Sequence, residues 1–259
     1  MIELSHIYKT FEPGTVNESV LFTDFNLSIH DDDFISVIGS NGSGKTTMLN
    51  LLCGSLAPDK GQIIRDGQDI TKMKEYRRSE FISRVYQDPS KGSCPSFSIL
   101  ENIALADTKG KSFNLHLGIK KDRIDYYRTL LETLKLGLEN RLDDKVGSLS
   151  GGQRQALAML TSTLTPTSLM ILDEHTAALD PKTADNIMEL TDHLVHEKKL
   201  TTLMVTHNLK FALQYGNRLI MMHQGKAIID VAGEEKKNLP LSEILNKFNE
   251  ISLEYGNSL

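Results

Sequence analysis

Residues Gly39 to Thr46 read GSNGSGKT, which fits the G-x-x-x-x-G-K-[ST] pattern of a phosphate-holding loop. Glycines at 39, 42 and 44 allow a turn in which successive backbone N–H groups face one anion. The helix expected to follow adds the positive end of its dipole. With Ser40, Asn41, Ser43 and Thr47 these glycines make up the expected nucleotide cradle. Lys45 is placed to reach the β- and γ-phosphates, and the Thr46 hydroxyl to ligate Mg²⁺. A chance Gly-Ser turn does not account for Lys45 and Thr46 in register. Further on, Leu169 to Glu174 reads LMILDE, an apolar run that delivers two carboxylates at its carboxyl end, where α/β sheets bind ligands. Asp173 is expected on the Mg²⁺ side, acting through water, and Glu174 as general base or orienter of the attacking water. A strand ending in Asp-Glu is weak evidence alone; joined to the phosphate loop it points to nucleotide hydrolysis.

These groups need elements to hold them. Phe34–Ile38 is a short apolar strand that runs into the loop, and Lys45–Cys53 reads as the helix leaving it. Leu169–Leu172 and Thr202–Val205 are uninterrupted apolar runs of the kind that form parallel strands buried on both faces. Between them Ala184, Ile187, Met188, Thr191, Leu194 and Val195 recur at helical spacing behind Pro181, so a helix links two neighbouring parallel strands. From about Ile99 to Leu164, helical patterns and polar turns suggest a helical lobe inserted into the sheet. The tail from Glu234 reads as a single exposed helix.

Leu149 to Gln153 reads LSGGQ. Ser150, Gly151 and Gly152 open a helix whose Ala156, Leu157, Leu160 and Leu164 form an apolar stripe, which makes its N-terminus a second anion-binding end. This segment resembles the signature of the ABC ATPase family, and the resemblance runs from Ile2 to about Gly233. It implies an α/β fold: a phosphate-loop, RecA-like, mostly parallel sheet core with an antiparallel β subdomain and an inserted α-helical subdomain. The expected division is a single domain over 1–259, with core 1–86 and 165–233, helical subdomain 87–164 and helical tail 234–259. The resemblance also implies that ATP is shared between the phosphate loop of one copy and Ser150, Gly151, Gly152 and Gln153 of another. Gln87 resembles the glutamine that joins Mg²⁺ and the attacking water to the helical lobe. Asp180 resembles the family's dimer-seam residue, although an Asp before Pro181 is also a plain helix cap. His207 resembles the switch histidine that touches the γ-phosphate and orients Glu174. Phe11 sits where the family stacks an aromatic ring on adenine, with Tyr8 close enough to compete. Where the family usually has proline after the catalytic glutamate, this chain has His175, read here as a tolerated surface substitution ahead of two alternatives, tuning of the local loop or a hydrogen bond across the seam.

Composition bounds the role. The 259 residues carry a net charge of −5, which gives no general attraction to nucleic acid, and none is expected as a partner. No apolar stretch approaches the ~20 residues that span a bilayer, and no secretory signal is read at Met1-Ile2-Glu3-Leu4. Cys53 and Cys94 suggest neither a disulfide framework nor a metal cluster. The resemblance then implies a peripheral motor at the cytoplasmic face of a membrane, paired head to tail around two Mg-ATP and acting on separate permease subunits. The segments Pro13–Asn17, LDEHTAALDPKT and YGNRLIMMHQG resemble a bacterial importer subgroup served by an extracellular substrate-binding lipoprotein, some members of which are assigned aromatic amino acids such as tryptophan. An exporter motor, and more distantly a soluble ABC ATPase of DNA repair or translation, stay open as alternatives.

Overall fold

The computed structural model describes residues 1–111 and 118–255, and side-chain surroundings as far as residue 250. In chain order the elements are Ile2–Phe11 (β1), Ser19–Ile29 (β2), Phe34–Gly39 (β3), Lys45–Cys53 (α1), Lys60–Arg65 (β4), Gln68–Asp69 (β5), Glu75–Arg78 (α2) and Ile82–Val85 (β6). Ile99–Asp107 (α3), Ile124–Glu132 (α4) and Gly151–Ser162 (α5) come next, then Leu169–Asp173 (β7), Pro181–Lys198 (α6), Thr202–Val205 (β8) and Leu209–Gln214 (α7). The chain closes with Arg218–His223 (β9), Lys226–Ala232 (β10), Gly233–Lys237 (α8) and Leu241–Tyr255 (α9).

The apolar runs build the central sheet, ordered β10-β9-β3-β8-β7-β6, in which β9, β3, β8, β7 and β6 are parallel and β10 pairs antiparallel with β9. Phe34–Gly39 and Leu169–Leu172 are buried throughout, as strands covered on both faces must be. Each large apolar side chain so buried contributes roughly 2 kcal/mol relative to exposure. A second, antiparallel sheet, β2-β1-β4-β5, packs its Leu4, Ile7, Phe22 and Ile63 into the same core as Leu49 and Leu52 of α1. The inserted helices α3, α4 and α5 gather a separate core around Ile99, Ile103, Tyr127, Leu131, Leu157 and Leu160. Residues 112–117 of the expected helical insertion and 256–259 of the expected tail lie outside the described residues.

Helix α6 forms as its spacing predicts. Asp180 caps it through the Thr183 N–H at 3.1 Å, Pro181 takes the first helical position, and Ala184, Ile187, Met188, Thr191, Leu194 and Val195 are buried.

Two expectations are corrected. The tail is not one exposed helix. Pro240, which cannot continue a helix and biases the residue before it away from helical geometry, separates α8 from α9. Neither helix is merely exposed: Ile244 of α9 is fully buried beside Leu219 and Met221, and the Lys236 ammonium is buried, donating to the carbonyls of Tyr215 and Gly216. Nor is His175 a surface substitution, since it is 2% exposed and its Nε2 lies 3.2 Å from Thr191 Oγ on α6. The Thr191 hydroxyl donates to the Ile187 carbonyl at 2.7 Å, so its oxygen accepts from the imidazole. His175 thus ties the loop behind Glu174 to the helix beneath it.

Burial holds the His175 imidazole neutral, pulling its pKa from 6.5 down to about 4. Below the unfolded value, unfolding takes up a proton that the folded chain refuses. This contribution is therefore complete above about pH 6.5 and is lost as the pH falls towards 4, by an amount on the order of 3 kcal/mol. Chemical denaturation of the wild type and His175→Gln between pH 4 and 7 checks this. The variant is expected to lose that segment of the pH slope, and identical slopes contradict the assignment.

Candidate nucleotide-binding site

The site begins where β3 stops. At Gly39 the backbone takes φ 151°, and a Cβ there would stand 2.3 Å from the Met222 carbonyl oxygen of β9. The chain can therefore leave the sheet only at a residue without a side chain. Ser40 and Ser43 close the turn through a 3.2 Å backbone hydrogen bond, Asn41 and Gly42 sit exposed on its crest, and Gly44 precedes α1. Lys45 folds back under the loop, its Nζ donating to the carbonyls of Gly39 at 2.7 Å and Ser40 at 2.9 Å. Thr46 is exposed and Thr47 partly so, both on the first turn of α1.

Burial pulls the Lys45 ammonium below the usual lysine range, and the charges of Glu174 and Asp173 oppose that shift. The strand register places both carboxylates at the same edge of the sheet as the loop. Val37 of β3 is level with Val205 of β8, Val205 with Asp173 of β7, and Leu172 of β7 with Val85 of β6. The residues just beyond these pairs, Gly39, His207, Glu174 and Gln87, consequently emerge along one edge of the sheet.

Glu174 has φ 50°, a left-handed conformation that costs an L-residue roughly 1–2 kcal/mol. The hydrogen bonds from its own N–H to the Val205 carbonyl and from the Ala177 N–H to its carbonyl hold it there. The bend carries the side chain to His207, whose Nε2 stands 2.7 Å from Glu174 Oε1. A carboxylate oriented by an imidazole at hydrogen-bond distance is the geometry a positioned proton acceptor requires.

The Ser150–Gln153 segment opens α5 with a reciprocal cap. The Gln153 N–H donates to Ser150 Oγ at 3.2 Å, and the Ser150 N–H donates to Gln153 Oε1 at 3.1 Å. Gly152 lets α5 approach α6, for a Cβ there would stand 2.4 Å from Thr183 Cγ. Among the described residues no hydrogen bond or ion pair joins this segment to the Lys45 loop. Gly151 does share a cleft of about 410 Å³ with Gln87, Asp173 and Leu179. Asp180, beyond that cleft, is exposed and acts as the α6 cap; its bonds from Thr183 hold its carboxyl below the usual range. At the end of β1, Phe11 is 37% exposed with Lys9 Nζ 5.8 Å from its ring centre, while Tyr8 is 36% exposed with Lys60 Nζ 5.9 Å away. Exposure therefore does not choose between the two rings.

Three residues to which the motifs assign no role are drawn into this region by the structure. Arg84 of β6 forms a 2.6 Å ion pair with Asp173 Oδ2 and donates to the second of them, Asn50 of α1, at Oδ1 over 2.9 Å. The third, Gln155 of α5, is buried and donates to the Tyr86 carbonyl at 3.3 Å, linking the helical insertion to the strand that leads into Gln87. The signal for Arg84 was a charge in the middle of the buried strand Ile82–Val85, a position that needs a partner.

A lysine-bearing phosphate loop, a strand ending in two carboxylates and a histidine on the next strand's end define a phosphate-loop nucleotide-hydrolysing cassette. The chain belongs to the ABC transporter family, whose model matches residues 22–177, and it is an ATPase subunit of that family. It is 48% identical to a tyrosine transport ATP-binding protein of Clostridioides difficile over 96% of this chain and 98% of that one. To the thiamine import ATP-binding protein ThiQ of Photobacterium profundum it is 30% identical, over 95% and 97%. A nucleotide-free ATP-binding cassette of an ABC transporter superposes with a TM-score of 0.79 at 25% identity, over 99% of each chain. The ATP-binding cassette MJ0796, in a dimeric post-hydrolysis state bound to ADP and Pi, gives 0.73 at 28% identity, over 90% of this chain and 98% of that one.

Lys45→Ala is expected to weaken ATP binding about 10- to 100-fold, the worth of a charge-assisted contact to phosphate. Calorimetric titration checks it, and an unchanged affinity would sink the phosphate-loop assignment.

Proposed function

We propose that this chain is the motor of an importer for an aromatic amino acid, working as a head-to-tail homodimer that closes around two Mg-ATP. The 2.7 Å contact between His207 and Glu174 is the observation that carries the catalytic half of this reading. The cargo and direction are supported by the relative named for tyrosine transport and by the one named for thiamine import. Tyrosine thus takes precedence over the tryptophan that the sequence suggested.

In this reading the N–H groups of the Gly39–Thr47 segment, including those of Ser40, Asn41, Gly42 and Gly44, grip the phosphates while Ser43 closes the turn, with Lys45 on the β- and γ-phosphates and an aromatic ring at Phe11 under the adenine. Glu174 accepts the proton of the attacking water, and His207 holds the carboxylate towards it. Thr46, Gln87 and Asp173 offer only oxygen donors with a single carboxylate, a set that suits Mg²⁺, which keeps waters and shares its shell with phosphate. When bound, Mg²⁺ neutralises charge on the β- and γ-phosphates. The capped start of α5, Ser150 to Gln153, turns its dipole end and the Gly151 and Gly152 N–H groups to the γ-phosphate on the partner subunit, with Asp180 at the seam. Loss of that phosphate removes the contact and the pair opens.

The domain division accords with the same scheme. Core 1–86 and 165–233 holds the phosphates, the helical subdomain 87–164 faces permease subunits, and 234–259 is an appended tail. No helix among the described residues is long and apolar enough to cross a membrane, which accords with separate membrane subunits and with a place at the cytoplasmic face. A substrate-binding lipoprotein would reach the motor only through those subunits.

Glu174→Gln tests the catalytic assignment. It should keep ATP affinity, lower turnover about 10²- to 10⁴-fold and accumulate as an ATP-dependent dimer in light scattering. Near-normal hydrolysis would remove Glu174 from its role.

A further inference from the structure

Asp173 does not stand alone at the end of β7. Its Oδ2 accepts from Arg84 Nη2 at 2.6 Å, and Arg84 Nη1 donates to Asn50 Oδ1 at 2.9 Å. The guanidinium also lies 4.8 Å from the ring centre of Tyr86, two residues along from Arg84 and next to Gln87. Both partners are well shielded, the Arg84 side chain being 12% exposed and that of Asp173 18%. Both terminal nitrogens of this arginine are engaged: α1 fixes one arm, β7 the other, and a ring covers its face.

Such an arrangement is more than charge neutralisation. A planar fork held at two points orients the carboxylate it grips. With Oδ2 committed to Arg84, the remaining oxygen of Asp173 is the one available to a metal's shell. Outer residues that hold a ligating carboxylate in this way typically govern metal affinity about 10- to 100-fold.

We propose that Arg84 is a positioning residue for the metal, fixing the Asp173 carboxylate through its anchored guanidinium so that one oxygen faces the Mg²⁺ that accompanies ATP. The proposal deepens the Mg-ATP reading above and rests on it. Arg84 acts on the metal through Asp173, whose Oδ2 it holds. Its anchor on Asn50 makes the same unit respond to α1, the helix that carries Lys45 and Thr46. The backbone carbonyl of its cover, Tyr86, accepts from Gln155 of α5.

The test measures metal binding apart from turnover. Mn²⁺, followed by electron paramagnetic resonance, is titrated onto ATP-loaded wild type, Arg84→Met, Arg84→Lys and Asn50→Ala. ATP affinity is measured in parallel without metal. The wild type should bind Mn²⁺ only with ATP; failure of that control strikes the Mg-ATP reading itself and leaves nothing for Arg84 to position. Given that control, Arg84→Met should weaken Mn²⁺ about 10- to 100-fold while metal-free ATP affinity stays within about twofold. Arg84→Lys keeps the charge but loses the fork, so it should fall between. Asn50→Ala leaves both charges in place and frees only the anchor, so it carries the test if Arg84→Met does not fold, and should weaken Mn²⁺ in the same direction. Unchanged or tighter Mn²⁺ binding in the folded variants would overturn the proposal, the latter showing that Arg84 competes with the metal.

Discussion

Everything chemical in this chain depends on the register of the four strands β3, β8, β7 and β6, which run parallel and end nearly level with one another. Parallel pairing is sustained only when both faces are covered, so β3, β7 and β8 are built from side chains that can be buried almost from end to end. Whatever a strand cannot bury must lie beyond its last pair. The polar residues therefore appear together at one edge: the glycine loop after β3, the carboxylates closing β7, the histidine after β8 and the glutamine after β6. A slip of one residue in any strand would exchange its side chains between the two covered faces and withdraw its contribution from the edge.

Gathering charge at such an edge has its own cost, which the structure meets with paired groups. Lys45 is buried against two carbonyls with both carboxylates in electrostatic reach. Arg84 faces Asp173, and His207 faces Glu174. Each pair limits the penalty of removing polar and charged groups from water and at the same time fixes a side chain of the candidate site in one orientation. The helical insertion gathers a core that it shares with Ile187 of α6, and its bonds to this edge include the one from Gln155 to the Tyr86 carbonyl. That bond ties the insertion to the strand that precedes Gln87.

Features set by period and spacing are legible in the sequence. Uninterrupted apolar runs mark the parallel strands, Asp180 with Pro181 marks the start of α6, and Ser150 with Gln153 marks the start of α5. Features that depend on contacts far apart in the chain are hidden there. The left-handed backbone at Glu174 has no signal in residue type, because it is imposed by the bond to Val205. His175 reads as expendable because its partner Thr191 lies on the far side of a loop. Arg84 can be suspected from its buried strand, but Asn50 and Asp173 lie 34 and 89 residues away along the chain. The break in the tail is different in kind, for Pro240 is a local cue, and a helix drawn across it ignores the chemistry of proline.

In the proposed homodimer one ATP is held from two sides, by the Lys45 loop of one protomer and the capped start of α5 on its partner. A crystal structure of the protein with Mg²⁺ and a non-hydrolysable ATP analogue tests it most directly. The terminal phosphate should lie within hydrogen-bond distance of Lys45 Nζ and of the Ser150–Gly152 segment of the partner subunit. Finding that segment remote from every terminal phosphate, in all assemblies the protein forms, would contradict the account.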